Sequence, residues 1–283
     1  MILQFCTPMN KYISTYHLLL FVIMIFGSCS ILEGPEDISN PFDPSDPNFE
    51  PPNVTFLQAP SEGETVDTCL VTLDWVGNES NMNYSYRMDD QDWSEWGSDH
   101  TIEYPLLDEG SHNFEIKSRY FNGVERVDPQ IVSFEIDDLT GPALACFPRY
   151  SLVAQDESVG VEIIVYDVTD VAMIRVVLNY NPTLLTANSV HVYESESFLA
   201  TNGGAVIPFY SIDPALGLIT IEVAVATGNP TSVSGTGAIA NIDFMPTSTQ
   251  SGELSFELSS EFRDADNTTT QIKDFGNGGV YVE

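Results

Sequence analysis

Period-two alternation dominates the second half of the chain. In residues 158–182, SVGVEIIVYDVTDVAMIRVVLNYNP, Val159, Val161, Ile163 and Val165 fall on one side of an extended backbone. Gly160, Glu162, Ile164 and Tyr166 fall on the other. Residues 167–170 read as a turn. Beyond it, Ile174, Val176, Leu178 and Tyr180 form a second apolar row, backed by Met173, Arg175, Val177 and Asn179. β-Branched residues at alternate positions mark strands with one buried face. The stretch 218–226 repeats the pattern, with Ile219, Ile221, Val223 and Val225 opposite Thr220, Glu222, Ala224 and Ala226.

The first half alternates more weakly. Residues 66–75 do so in part, and 84–88 (YSYRM) reads as a strand followed by an acidic turn and the WSEW of 93–96. In 106–119, a turn feeds a long strand with His112, Phe114, Ile116 and Ser118 opposite Asn113, Glu115, Lys117 and Arg119. Helical periodicity is scarce and the connections are polar and turn-rich. These features predict an all-β chain. At 43% apolar residues the chain can build globular cores. Its length suits two β-sandwich domains, at 53–138 and 139–283.

The N-terminal end predicts export. Residues 1–28 contain no acid, carry Lys11, and include the apolar run from Leu18 to Phe26. That run is short for a membrane-spanning helix and fits the apolar region of a cleaved leader at 1–28. The sequence Phe26-Gly27-Ser28-Cys29 resembles a bacterial lipobox, with Phe26 in place of the usual leucine. The resemblance implies cleavage before Cys29 and diacylation of its sulfur, so that the chain is membrane-anchored through lipid. An ordinary secretory leader with an incidental cysteine is the alternative. Ser30, not aspartate, follows, which by analogy with lipoprotein sorting points to the outer membrane or cell surface. Residues 29–52 then read as a Pro- and Asp-rich tether, extended and semi-stiff. Its DPSDPN lacks the glycine and bidentate glutamate of an EF-hand loop.

Two family resemblances emerge. The elements Tyr180-Asn181-Pro182-x-Leu184-Leu185, the glycine-led strands from Gly217 and Gly235, Ser251 to Phe256, Phe262-Arg263-Asp264 and Gly278 to Val282 follow one another as in a cohesin, the domain that grips dockerin modules. Asn181 stands where that family usually has aspartate. The resemblance covers 139–283 and implies a nine-stranded jelly-roll sandwich. It implies a calcium-loaded, dockerin-bearing protein as partner, captured on one flat sheet face, and a link to polysaccharide degradation. The face would carry Met173, Arg175 and Val177, then Thr220, Glu222 and Ala224, with Phe209 or Tyr210 from the strand between. Arg175 departs from the acidic or amide contact common in cohesins. Residues 53–138 resemble fibronectin-III-like (Ig-like) domains with a triple-tyrosine motif, which usually act as spacers or sensor modules.

Charge and chemistry narrow the function. With 42 acidic and 9 basic residues the net charge is −33, which repels nucleic acid. No Gly-x-Ser-x-Gly elbow and no P-loop occurs, and His100, His112 and His191 follow no zinc spacing, so no catalytic set emerges and the chain does not read as an enzyme. Asp264, Asp266 and Asn267 could hold one structural calcium or form a solvated turn; no other cofactor is implied. Cys69 and Cys146 could pair or remain free thiols. Trp75, Trp93 and Trp96 read as core or packed-edge residues, with sugar stacking as the other option. The expectation is therefore a non-catalytic, surface-anchored adaptor presenting a cohesin-like module. A carbohydrate-binding-module-like protein and a structural or adhesion protein are the alternatives.

Overall fold

The structure, a computed structural model, describes residues 39–201, 203–227 and 231–282. The leader and Cys29 lie outside the described residues.

Residues 39–51 belong to the first of two structural units. They are not extended, as the sequence implied, but wound into three successive turns. An Asx-Pro-x triplet repeats from Asn40 to Asn48. The N–H groups of Asp43, Asp46 and Phe49 donate to the carbonyls of Asn40, Asp43 and Asp46 at 2.9, 2.9 and 3.0 Å. Proline presets φ at the second position of each turn, and the Asx side chains close it. Asp43 Oδ1 accepts from the Ser45 N–H at 2.9 Å, and Asp46 Oδ1 from that of Asn48 at 2.7 Å. These bonds hold both carboxyls below their usual range.

The second unit begins at Pro52. Its first sandwich contains β1 (Val54–Gln58), β2 (Glu64–Val66), β3 (Val71–Gly77), β4 (Asn83–Met88), β5 (Thr101–Tyr104), β6 (Gly110–Arg119) and β7 (Gln130–Ile136). One sheet runs β1-β3-β5, the other β2-β7-β6-β4. Trp75 fills the space between them, its ring 5.5 Å from Tyr86 and 5.9 Å from both Tyr84 and Phe114. On β6, His112, Phe114, Ile116 and Ser118 are all buried, as their alternation required.

The second sandwich has β8 (Ala143–Phe147), β9 (Tyr150–Val153), β10 (Val159–Val171), β11 (Met173–Tyr180), β12 (Leu185–Val192), β13 (Ala205–Asp213), β14 (Leu218–Thr227) and β15 (Val233–Pro246). It closes with β16 (Gly252–Phe256), β17 (Glu261–Arg263), β18 (Thr269–Thr270), β19 (Asp274–Gly276) and β20 (Gly278–Val282). A five-stranded sheet runs β12-β15-β10-β8-β19. An eight-stranded sheet runs β13-β14-β11-β16-β20-β9, with β17 beside β11 and β18 beside β17. The chain is thus all-β, and among the described residues its one helical element is a single 3-10 turn, Phe198–Ala200. Val161, Ile163 and Val165 of β10 meet Ile174, Val176 and Leu178 of β11 and Ile219, Ile221 and Val223 of β14 in one core.

Residues 167–170 are not a turn. β10 continues through them to Val171 by two irregularities in its pairing with β15. Asp167 and Asp170 take positive φ there, a conformation that aspartate tolerates better than most residues, and Val168 and Val171 stay buried. The chain then crosses to the other sheet, so β10 and β11 are not a hairpin.

The two sandwiches are joined around Arg149, which sits between β8 and β9 and is 4% exposed. Its main-chain N–H donates to Asp108 Oδ1 at 2.6 Å. Its guanidinium donates to Asp138 Oδ2 at 2.9 Å, the Asn277 carbonyl at 3.2 Å and Cys69 Sγ at 3.3 Å. Cys69 and Cys146 are free thiols, the first half-buried and the second buried.

Candidate functional site

The pairing registers assemble a cross-strand lattice on the outer face of the eight-stranded sheet. Ile219, Ile221 and Val223 point into the core, so Thr220, Glu222 and Ala224 point out. Opposite partners share a face. Ile207 therefore joins Ala224 and Met173, Phe209 joins Glu222 and Arg175, and Ser211 joins Thr220 and Val177. On the far side of β11, Met173 pairs with Arg263 and Arg175 with Glu261.

Charges run through the middle of this lattice. Arg175 Nε lies 3.6 Å from Glu222 Oε1, an ion pair too long for a hydrogen bond. Arg263 Nη2 lies 2.9 Å from Glu261 Oε1. Asn179 donates to Glu257. These pairs are solvent-screened and contribute little to stability by themselves. Their effect is to lay a band of paired charge beside the apolar edge formed by Ile207 and Phe209, which are 62% and 57% exposed.

Two sequence-predicted face residues are placed otherwise. Tyr210 lies opposite Ile221, in the row that faces inward, and its exposure comes from its place on an edge strand. Phe209 is the aromatic on the outer face. Sequence left the two open because 206–210 is apolar at every position, and only pairing with β14 fixes the side. Val177 has the right parity but is 5% exposed. The 257–260 turn closes over its backbone: Val177 N–H donates to Ser260 Oγ at 3.0 Å, and Val177 O accepts from Glu257 N–H at 2.8 Å. Ile207, by contrast, was not picked out by sequence.

The Tyr-Asn-Pro element has a definite local role. Asn181 Oδ1 accepts from the N–H and hydroxyl of Thr183 at 3.0 and 2.8 Å, turning the chain out of β11. Tyr180 and Leu185 on either side are buried. Asp264, Asp266 and Asn267 also form a turn. Asp264 Oδ1 accepts the N–H groups of Asp266 and Thr268 at 2.9 and 2.7 Å, and Asn267 Oδ1 accepts from Arg263 Nη1 at 3.1 Å. These oxygens are committed to the protein, and among the described residues no group of three or more His, Cys, Asp and Glu side chains is placed to hold a metal.

Trp75 is core, fully buried. Trp93 lies under Arg87 and Lys117, at 4.7 and 3.9 Å from its ring, and Trp96 under Arg119 at 4.2 Å.

No family profile and no curated protein matches the sequence. Solved structures do. A non-cellulosomal cohesin from Archaeoglobus fulgidus aligns at 19% identity and TM-score 0.38, over 50% of this chain and 88% of its own. A type I cohesin–dockerin complex from Clostridium thermocellum aligns at 14% identity and TM-score 0.40, over 50% and 92%. A type II cohesin from the cellulosome of Acetivibrio cellulolyticus aligns at 11% and 0.41, over 49% and 92%. Each of these alignments spans about half of this chain.

Proposed function

We propose that this protein is a non-catalytic, lipid-anchored adaptor of the cell envelope. The acyl chains on Cys29 hold it to the outer membrane or cell surface. The segment 29–52 lifts the folded part away from the lipid, the sandwich at 53–138 acts as a spacer, and the sandwich at 139–283 captures a dockerin-type protein partner on its eight-stranded sheet.

The observation that carries this reading is the outer face of that sheet. It is a lattice of small residues and paired charges flanked by two exposed apolar side chains, Ile207 and Phe209. A mixed surface of this kind suits docking of another folded protein, with an aromatic anchor beside a polar area. The cohesin-like order of sequence elements names the class of partner. The outer-face position of Arg175, beside Glu222, favours a partner whose contact surface differs from those that meet an acidic or amide residue there. Two acyl chains would anchor the protein stably, since each buried methylene contributes about 0.8 kcal/mol. Anchoring then raises the concentration of captured enzyme near its polymeric substrate.

The test is titration of the full chain with each dockerin-type module encoded in the same genome, with calcium and with chelator. Binding that needs calcium, because the dockerin folds around it, supports the proposal. Silence from every dockerin overturns the partner assignment.

A further inference from the structure

A second feature stands apart from the sheet face. Where the two sandwiches meet, a cleft of about 520 Å³ opens between the β4 and β5 edges of the first and β9 of the second. It is lined by the aromatic rings of Tyr86, Trp93, Tyr104 and Tyr150, by the exposed Leu152, and by Arg87, whose guanidinium is already paired with Glu115 at 2.7 Å. Gln91 and Asp92 also line it.

The rings are held in advance. Tyr86 and Tyr104 each pack on Phe114, at 6.0 and 6.4 Å between centroids. Tyr150 stacks on Tyr281 at 4.4 Å. The segment carrying Trp93 is bonded to β4, since Ser94 N–H donates to the Tyr86 carbonyl at 2.9 Å and Tyr86 N–H donates to Ser94 Oγ at 3.0 Å. Arg149 fixes the two sandwiches that supply the walls. A cleft built this way loses little conformational freedom on binding.

Its polar groups are unspent. Among the described residues, no protein group hydrogen-bonds the hydroxyls of Tyr86, Tyr104 or Tyr150. Burial raises all three phenols, and Tyr104 also feels the other two, which places the three hydroxyls within electrostatic reach of one another. They are neutral donors and acceptors across the physiological range, set among apolar rings.

Few ligands match that combination. Sugar rings present apolar C–H faces to aromatic rings and hydroxyls at their rims. A proline-rich peptide also lies on aromatic surfaces, but its prolyl amides carry no N–H, so it offers Gln91 and Asp92 fewer donors than the hydroxyl-rich rim of a sugar does. Anionic ligands are disfavoured by a net charge of −33. We propose that the cleft between the sandwiches binds a neutral saccharide, with Tyr150 and the Trp93 ring, which Arg87 and Lys117 back, as aromatic walls and Tyr104, Gln91 and Asp92 as hydroxyl partners. The proposal is independent of the sheet-face reading, because it uses none of the same residues.

The test is affinity electrophoresis of the full chain through gels containing xylan, mixed-linkage β-glucan or galactomannan, followed by calorimetry with the matching hexasaccharide. At least one polysaccharide should retard the protein. Trp93→Ala and Tyr150→Ala should each weaken binding tenfold or more. Tyr104→Phe, which removes one oxygen and keeps the ring, should weaken it severalfold with an unchanged melting temperature, and it decides the matter if either alanine variant fails to fold. Absence of retardation by all three polymers, undiminished binding by Tyr104→Phe, or binding of decaproline in place of the sugars would overturn the proposal.

Discussion

Arg149 Nη1 lies 2.9 Å from Asp138 Oδ2, and through this bond the first turn of the second sandwich is fastened to the connection leaving the first. Glu109 Oε1 stands 3.9 Å from the same nitrogen. A guanidinium this buried is tolerable only because its donors are met on several sides. Arg149→Ala would leave Asp138 and Glu109 facing each other without a cation. Losing one partner of a buried pair costs about 3–5 kcal/mol. The urea midpoint should therefore fall, and the two sandwiches should unfold in separate steps. A variant melting like the wild type in one transition would show that the joint lies elsewhere.

His112 gives the first sandwich a pH-dependent stability. Burial alone would lower its pKa, but Asp89 Oδ2 and the Asp108 carbonyl, each 2.9 Å from a ring nitrogen, outweigh burial and raise it. Two acceptors favour the doubly protonated ring, because a neutral imidazole can donate only once. The folded state thus binds this proton more tightly than the unfolded chain, where histidine titrates near about 6.5. Its stabilisation is complete below that value and is lost as pH rises through the raised folded pKa. Asp108, which desolvation raises, adds a dependence of the same sign at lower pH. The wild-type urea midpoint should fall as pH rises above about 6.5, and His112→Gln should flatten that fall. Parallel curves for the two proteins would contradict the assignment.

Gly217 holds the entrance to β14. It has φ +66°, and a Cβ there would stand 2.0 Å from the Tyr180 carbonyl oxygen. The Tyr180 N–H donates to the Gly217 carbonyl at 2.9 Å, so neither strand can draw back without breaking that bond. Gly217→Ala should cost at least about 1–3 kcal/mol, the usual range for one strained backbone position, measured as a lower urea midpoint. An unchanged midpoint would mean that the turn relaxes freely.

The lipid anchor has a separate test. Cys29→Ser should abolish metabolic labelling with palmitate and move the protein from the membrane fraction to the soluble exported fraction. Persistent labelling, or wild-type protein without acyl mass at its mature N-terminus, would remove the anchor from the proposal.

Much of the second sandwich was legible because one face of each strand is dry. Rows such as Val161-Ile163-Val165 and Ile219-Ile221-Val223 can alternate only if one sheet face is core. Four kinds of feature were not legible. Asp167 and Asp170 look like a turn because they favour positive φ, yet here they serve bulges inside β10. Tyr210 and Phe209 cannot be assigned to faces until a neighbouring strand sets the register. Arg149 reaches Asp108 and Asn277 across 41 and 128 residues of chain, and the cleft draws its walls from both sandwiches, which no local pattern encodes. In the tether, the prolines suggested extension, but repeated Asx-Pro turns satisfied their own backbone groups first.

The most direct measurement is the affinity of a calcium-loaded dockerin from the same genome for the wild-type chain and for Phe209→Asp and Arg175→Glu, with Tyr210→Asp as the control on the opposite side of the same strand. Docking on the outer face of the eight-stranded sheet requires the first two to weaken binding at least tenfold, about 1.4 kcal/mol, with Tyr210→Asp closer to wild type. Equal affinities for all four proteins, or a larger loss at Tyr210 than at Phe209, would place the contact somewhere else.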